Sequence, residues 1–75
     1  MTFEKVRQLI VKQKDVYPDE VTLESSLLDD LGCDSLDLAY LTSAVEKEFN
    51  IDIPDAAVEK FKTVQDVVEY IKTAQ

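Results

Sequence analysis

The reading of the chain turns on Asp29-Asp30-Leu31-Gly32-Cys33-Asp34-Ser35-Leu36-Asp37-Leu38-Ala39-Tyr40-Leu41, continued by Thr42-Ser43-Ala44-Val45-Glu46-Lys47-Glu48-Phe49. Gly32 interrupts whatever precedes it, and Asp34 offers the short oxygen acceptor that caps a helix start. From Ser35 to Phe49 there is neither Pro nor Gly, and Leu38, Leu41, Val45 and Phe49 fall on one helical stripe. Ser35 therefore stands in the first turn of a helix. Backbone N–H groups there lack intrahelical partners and the macrodipole favours an anion, a setting that suits a phosphate ester on the serine hydroxyl.

On the N-terminal side, Thr2 can cap a helix with Phe3, Val6, Leu9 and Ile10 on its inner face, running to about Lys14. Its outer face holds Lys5, Arg7, Lys12 and Lys14, half of the basic residues of the protein. A long connection follows from Asp15 to Ser26, punctuated by Tyr17-Pro18-Asp19. Its apolar residues Val16, Tyr17, Val21, Leu23, Leu27 and Leu28 are expected to pin it to the core, giving a self-packed loop.

On the C-terminal side, Asn50 suits a left-handed residue closing the central helix. Ile51-Asp52-Ile53-Pro54 alternates as a strand would, but with nothing to pair with it reads as extended loop. Asp55 to Phe61 can make a short third helix of two turns. Thr63 with Asp66 resembles a capping box, and Val64, Val67, Val68 and Ile71 continue as the inner stripe of a last helix ending near Thr73. The expected fold is all-α: one domain over residues 1–75, a small four-helix bundle with three longer helices, a short third one and a long first loop. Val6, Leu41, Val45, Ala57, Val58, Val64, Val68 and Ile71 are expected to line its core.

Composition bounds the chemistry. The 75 residues carry a formal net charge of −8, which disfavours nucleic acid and anionic membranes and favours basic protein partners. Lys47 is the only base between Asp15 and Glu59, so the negative charge is concentrated in the middle of the chain. Hydrophobic residues make up 45%, enough for a packed core rather than a disordered acidic tail. With a single Cys no internal disulfide is possible, which points to a reducing compartment. There is no histidine, so Ser–His–Asp and Cys–His mechanisms have no base and imidazole metal sites are absent. No membrane span or signal peptide is visible. The expectation is a cytoplasmic, monomeric non-enzyme.

Taken together, Leu31-Gly32 before Asp34-Ser35-Leu36, the acidic helix ending Glu46-Lys47-Glu48-Phe49, Ile53-Pro54-Asp55, and Thr63-Val64-Gln65-Asp66 resemble the acyl carrier proteins. The resemblance extends from Val6 to Ile71. It implies that Ser35 carries a 4′-phosphopantetheine arm, delivered from coenzyme A by a phosphopantetheinyl transferase, whose thiol holds acyl groups as thioesters. It further implies delivery of those groups to fatty acid or polyketide synthase enzymes with basic docking surfaces, and a core that can part to shelter an acyl chain. Partner contacts are expected at Asp34, Leu36, Asp37, Tyr40, Glu46 and Glu48, with no metal site and no catalytic residue of the chain's own. Cys33 is expected to fill a turn.

Three positions depart from the commonest fatty-acid pattern. Tyr40 stands where an acid is frequent, Thr42 where an aliphatic is usual, and Ser43 where a larger apolar residue is frequent. A polar Thr42 or Ser43 without a partner would disfavour a sheltered lipid tail. The alternatives are a polyketide or aminoacyl carrier, an unmodified acidic helical adaptor, and an acidic protein that buffers divalent cations.

Overall fold

The computed structural model describes residues 2–74. Four helices enclose one core: α1 (Thr2–Lys14), α2 (Ser35–Phe49), α3 (Asp55–Val58) and α4 (Val64–Ala74), with a 3-10 turn at Pro18–Glu20 in the first loop. α1 packs against both α2 and α4, and the short α3 lies against α2. The core is built from the stripes that the periodicity marks. Val6 and Ile10 from α1, Leu41 and Val45 from α2, and Val64, Val67, Val68 and Ile71 from α4 are buried. Phe3, Leu9, Leu38, Phe49, Ala57 and Val58 pack half-buried around them.

Helix ends follow their local chemistry. Asp15 adopts φ +55° beyond the end of α1, and Asn50 takes the left-handed conformation (φ 55°, ψ 52°) that closes α2. At the start of α4 the Asp66 carboxylate accepts from the backbone N–H of Lys62 (2.8 Å) and Thr63 (3.1 Å), while Thr63 Oγ1 accepts from Asp66 N at 3.4 Å. The reciprocal cap expected of Thr63 and Asp66 is thus formed. α3 is shorter than the two turns expected. Beyond Val58 the backbone tightens to i→i+3 bonds, Lys60 N to Ala57 O and Phe61 N to Val58 O, so the helix ends after one turn and turns carry the chain to Phe61.

The first loop is self-packed, by fewer anchors than expected. Val21 and Leu27 are buried, joined by Leu31 and Cys33, but Tyr17, Leu23 and Leu28 are exposed. The chain reverses at Pro18–Glu20 and again between Ser26 and Leu31, so the side chains on the outer side of each reversal face solvent. Backbone bonding supplies what the missing anchors do not. Leu27 N donates to Lys62 O (2.9 Å), Val64 N to Ser25 O (3.1 Å) and Gln65 N to Leu23 O (3.0 Å). An isolated antiparallel bridge between Ser26 and Thr63, which the sequence pattern did not reveal, stitches this loop to the segment before α4.

Candidate functional site

Behind Ser35, Gly32 adopts φ +67°, the left-handed conformation that an L side chain resists. The turn lets Leu31 and Cys33 both bury while Gly32 stays outside. Cys33 N donates to Leu27 O at 2.7 Å, and its thiol, 1% exposed, is pushed up in pKa by burial. It is a packed thiol rather than a nucleophile.

Asp34 then caps α2. Its Oδ1 accepts from Asp37 N at 2.9 Å, and Asp37 Oδ2 accepts in return from Asp34 N at 3.3 Å. The C-terminal end of α1 holds this turn from outside: Gln13 Nε2 donates to Asp37 O (2.7 Å) and Lys14 Nζ to Asp37 Oδ2 (2.8 Å). The Lys14 ammonium first, and the Asp34 N–H next, hold the Asp37 carboxyl below the usual carboxylate range; Asp37 in turn raises Lys14. Ser35, first residue of the helix, is exposed between these two acids.

Ser35 lines a groove of about 700 Å³ between α2 and α3. The apolar Leu38, Ile53, Val58 and Phe61 line it together with Thr42 and the polar Ser43, Glu46, Asp55 and Glu59. Ser43 thus does bring a hydroxyl to the groove, as its polarity implied. A smaller hollow of about 400 Å³ opens on its other side, toward Leu28, Cys33 and Lys62. Thr42 is buried, and its hydroxyl donates back to Leu38 O (2.9 Å) and Ala39 O (3.1 Å). Its polar group is therefore satisfied within the helix, and the penalty expected of an unpartnered hydroxyl beside the groove does not arise at Thr42.

The expected contact residues divide into two groups. Asp34 is exposed, and Leu36 (64%) and Tyr40 (63%) present large apolar side chains one helical turn apart on the outer face of α2. Asp37, Glu46 and Glu48 are instead engaged within the chain. Glu46 accepts from Ile53 N at 2.9 Å, tying the extended segment after α2 to the helix, and Glu48 pairs with Lys5 at 3.3 Å. Lys5 also lies over the Phe49 ring, 5.9 Å from its centre. Sequence reasoning thus located the acids and overlooked their internal partners. The signal was present in α1, whose bases Lys5 and Lys14 are the ones that reach α2.

The fold is thus a small helical domain in which an exposed serine heads the longest helix, beside a groove of mixed polar and apolar lining. The start of a helix favours an anion, and the hydroxyl of Ser35 is exposed there, so the residues present fit a phosphopantetheine arm. Comparison with known proteins agrees. The family profile for the phosphopantetheine attachment site matches residues 4–71. An acyl carrier protein of Bdellovibrio bacteriovorus is 53% identical over 91% of this chain and 87% of its own length. One of Wolinella succinogenes is 49% identical over 95% and 93%. A solved structure from Mycobacterium tuberculosis, provisionally described as an acyl carrier protein, superposes with a TM-score of 0.91 at 32% identity, covering 97% of each chain. The chain belongs to the acyl carrier proteins.

It follows that the protein carries acyl groups on a covalently attached 4′-phosphopantetheine, whose terminal thiol forms the thioester. Such proteins are carriers rather than catalysts, they interact with a transferase and with synthase enzymes, and their usual role is in fatty acid synthesis. No helix among the described residues is long and apolar enough to cross a membrane.

Proposed function

We propose that Ser35 is the residue that takes the arm, and that the chain is a single-domain, monomeric cytoplasmic carrier with no catalytic residues of its own, serving fatty acid synthesis. The main support is the contrast among its serines. Ser25 is buried and donates to Glu20 O (3.0 Å); Ser26 Oγ accepts from Asp29 N (3.1 Å); Ser43 lies in the middle of α2. Ser35 alone combines exposure with a helix start.

In this reading the chain's own work is presentation. The Asp34–Asp37 cap fixes the first turn, Gly32 and the buried Cys33 fix the approach to it, and α2 offers Asp34, Leu36 and Tyr40 to partners. Glu46, tied to the fold only through Ile53 N, adds negative charge that attracts basic surfaces from a distance, whereas Asp37 and Glu48 are offset by Lys14 and Lys5. Such charge raises association rates more than it lengthens residence, which suits a carrier that must leave one enzyme to reach the next. Tethering then raises the local concentration of the acyl group at whichever enzyme is docked.

Incubation with a broad-specificity phosphopantetheinyl transferase and coenzyme A tests the proposal. Intact mass should show one arm added to the parent and none to Ser35→Ala. Addition to Ser35→Ala would move the site elsewhere, and a parent that takes no arm would favour the unmodified adaptor.

A further inference from the structure

Asp37 lies two residues beyond Ser35, where a basic partner approaching the serine would be expected to grip it, yet its carboxylate is already occupied. Oδ2 accepts from Asp34 N at 3.3 Å and from Lys14 Nζ at 2.8 Å. Both side chains of the pair are about three-quarters buried, with exposures of 23% for Lys14 and 25% for Asp37. Of the four bases on α1, Lys14 makes the shortest bond to α2, and it ends on an acid two residues from Ser35. An ammonium in this place stands in for a partner's cation. Seen from outside, Asp37 and Lys14 are close to neutral together, so Asp34 is the remaining open charge beside Ser35.

We propose that Lys14 is a positioning residue that weakens recognition of the Ser35 end by basic partners, because it holds the Asp37 carboxylate in an internal ion pair. The proposal rests on the reading of Ser35 as the loaded residue. A partner's Arg or Lys must either share the carboxylate with Lys14 or displace it, and displacement leaves a largely buried ammonium without its acceptor. The carrier's affinity is thereby held down at the place where its charge would otherwise be greatest. The direction of the effect follows from what stays behind when Lys14 is removed. The Asp34 Oδ1 bond from Asp37 N and the Gln13 bond to Asp37 O do not involve the ammonium. The bond from Asp34 N only shares its acceptor Oδ2 with it, so the first turn keeps its place. Meanwhile the net charge goes from −8 to −9 and a carboxylate is released toward solvent.

Lys14→Met, Lys14→Gln and Lys14→Arg, each checked for parental helicity, would be loaded by a phosphopantetheinyl transferase with coenzyme A at several salt concentrations. For Met and Gln, KM for the carrier should fall about two- to fivefold at low salt with kcat unchanged, the size expected of one added charge contact at the rim of a partner interface. The difference should close as salt rises, and Lys14→Arg should behave as the parent. An unchanged or higher KM, or an effect on kcat, would overturn the proposal and leave Lys14 as a clamp on the fold. Titration with a tetra-arginine peptide, followed by NMR at the Asp37 carboxyl carbon, gives a readout that does not depend on loading. Lys14→Met should bind the peptide more tightly than the parent, and equal affinity would overturn the proposal whatever the fate of Ser35. Loading of Ser35→Ala would instead overturn the assignment of the serine alone.

Discussion

The cap on α4 gives the sharpest stability prediction. Asp66→Ala removes a carboxylate that accepts two backbone N–H groups, Lys62 N at 2.8 Å and Thr63 N at 3.1 Å, while the weaker 3.4 Å bond from Asp66 N to Thr63 Oγ1 survives. Lost caps of this kind cost about 1–2 kcal/mol. For a chain of this size that corresponds to a melting temperature lower by roughly 5–15 °C. The effect should be global, because α4 supplies Val64, Val67, Val68 and Ile71 to the core. It should also depend on pH in one direction. The Lys62 N–H first, and the Thr63 N–H next, hold the Asp66 carboxyl below its ordinary range, so the folded protein binds that proton less readily than the unfolded chain. The contribution is full above the unfolded value of about 4 and fades as pH falls through the folded value. Thermal melts of parent and Asp66→Ala near neutral pH and at about pH 3 make the comparison. Equal melting temperatures at neutral pH, or a gap of the same size in acid, would refute the reasoning.

Three further outcomes are expected. Gly32→Ala should lower stability by about 1 kcal/mol; the added Cβ meets nothing within 4 Å, so the cost is that of φ +67° alone, and a thermal melt unchanged from the parent would contradict it. Cys33, 1% exposed, should resist a thiol-alkylating reagent in native buffer and react in denaturant, as followed by intact mass. Asp34→Asn keeps an oxygen for the cap but drops the open charge beside Ser35; it should slow loading at low salt through the association rate, with the loss shrinking as salt rises.

The helices were legible because each stripe repeats at helical spacing and because both ends of α2 and the start of α4 are marked by a residue with a definite job. Thr2, expected to cap α1, is instead the first residue inside it, and α3 starts without a side-chain cap. Asp34, Asn50, Thr63 and Asp66 all do what their side-chain chemistry implies. Ser35 was legible for the same reason, since a cap at Asp34 places the next residue in the first turn. What the sequence concealed were pairings between residues far apart along the chain. The Ser26–Thr63 bridge and the Lys14–Asp37 pair join segments 37 and 23 residues apart, and no local pattern announces either. Asp37→Lys illustrates the consequence. From sequence it is a clean test of docking, but in the structure it would set a second ammonium against Lys14 and remove half of the cap on α2. Thr42 is a similar case, an apparent polar defect whose hydroxyl is satisfied by its own helix.

The central claim is that the arm is joined to Ser35, and site localisation by fragmentation mass spectrometry tests it most directly. No Lys or Arg lies between Lys14 and Lys47, so trypsin releases residues 15–47 of the loaded protein as one peptide containing Ser25, Ser26, Ser35 and Ser43. The account predicts a fragment ladder in which the added mass first appears between Asp34 and Leu36. An added mass on any of the other three serines, with Ser35 unmodified, would contradict it.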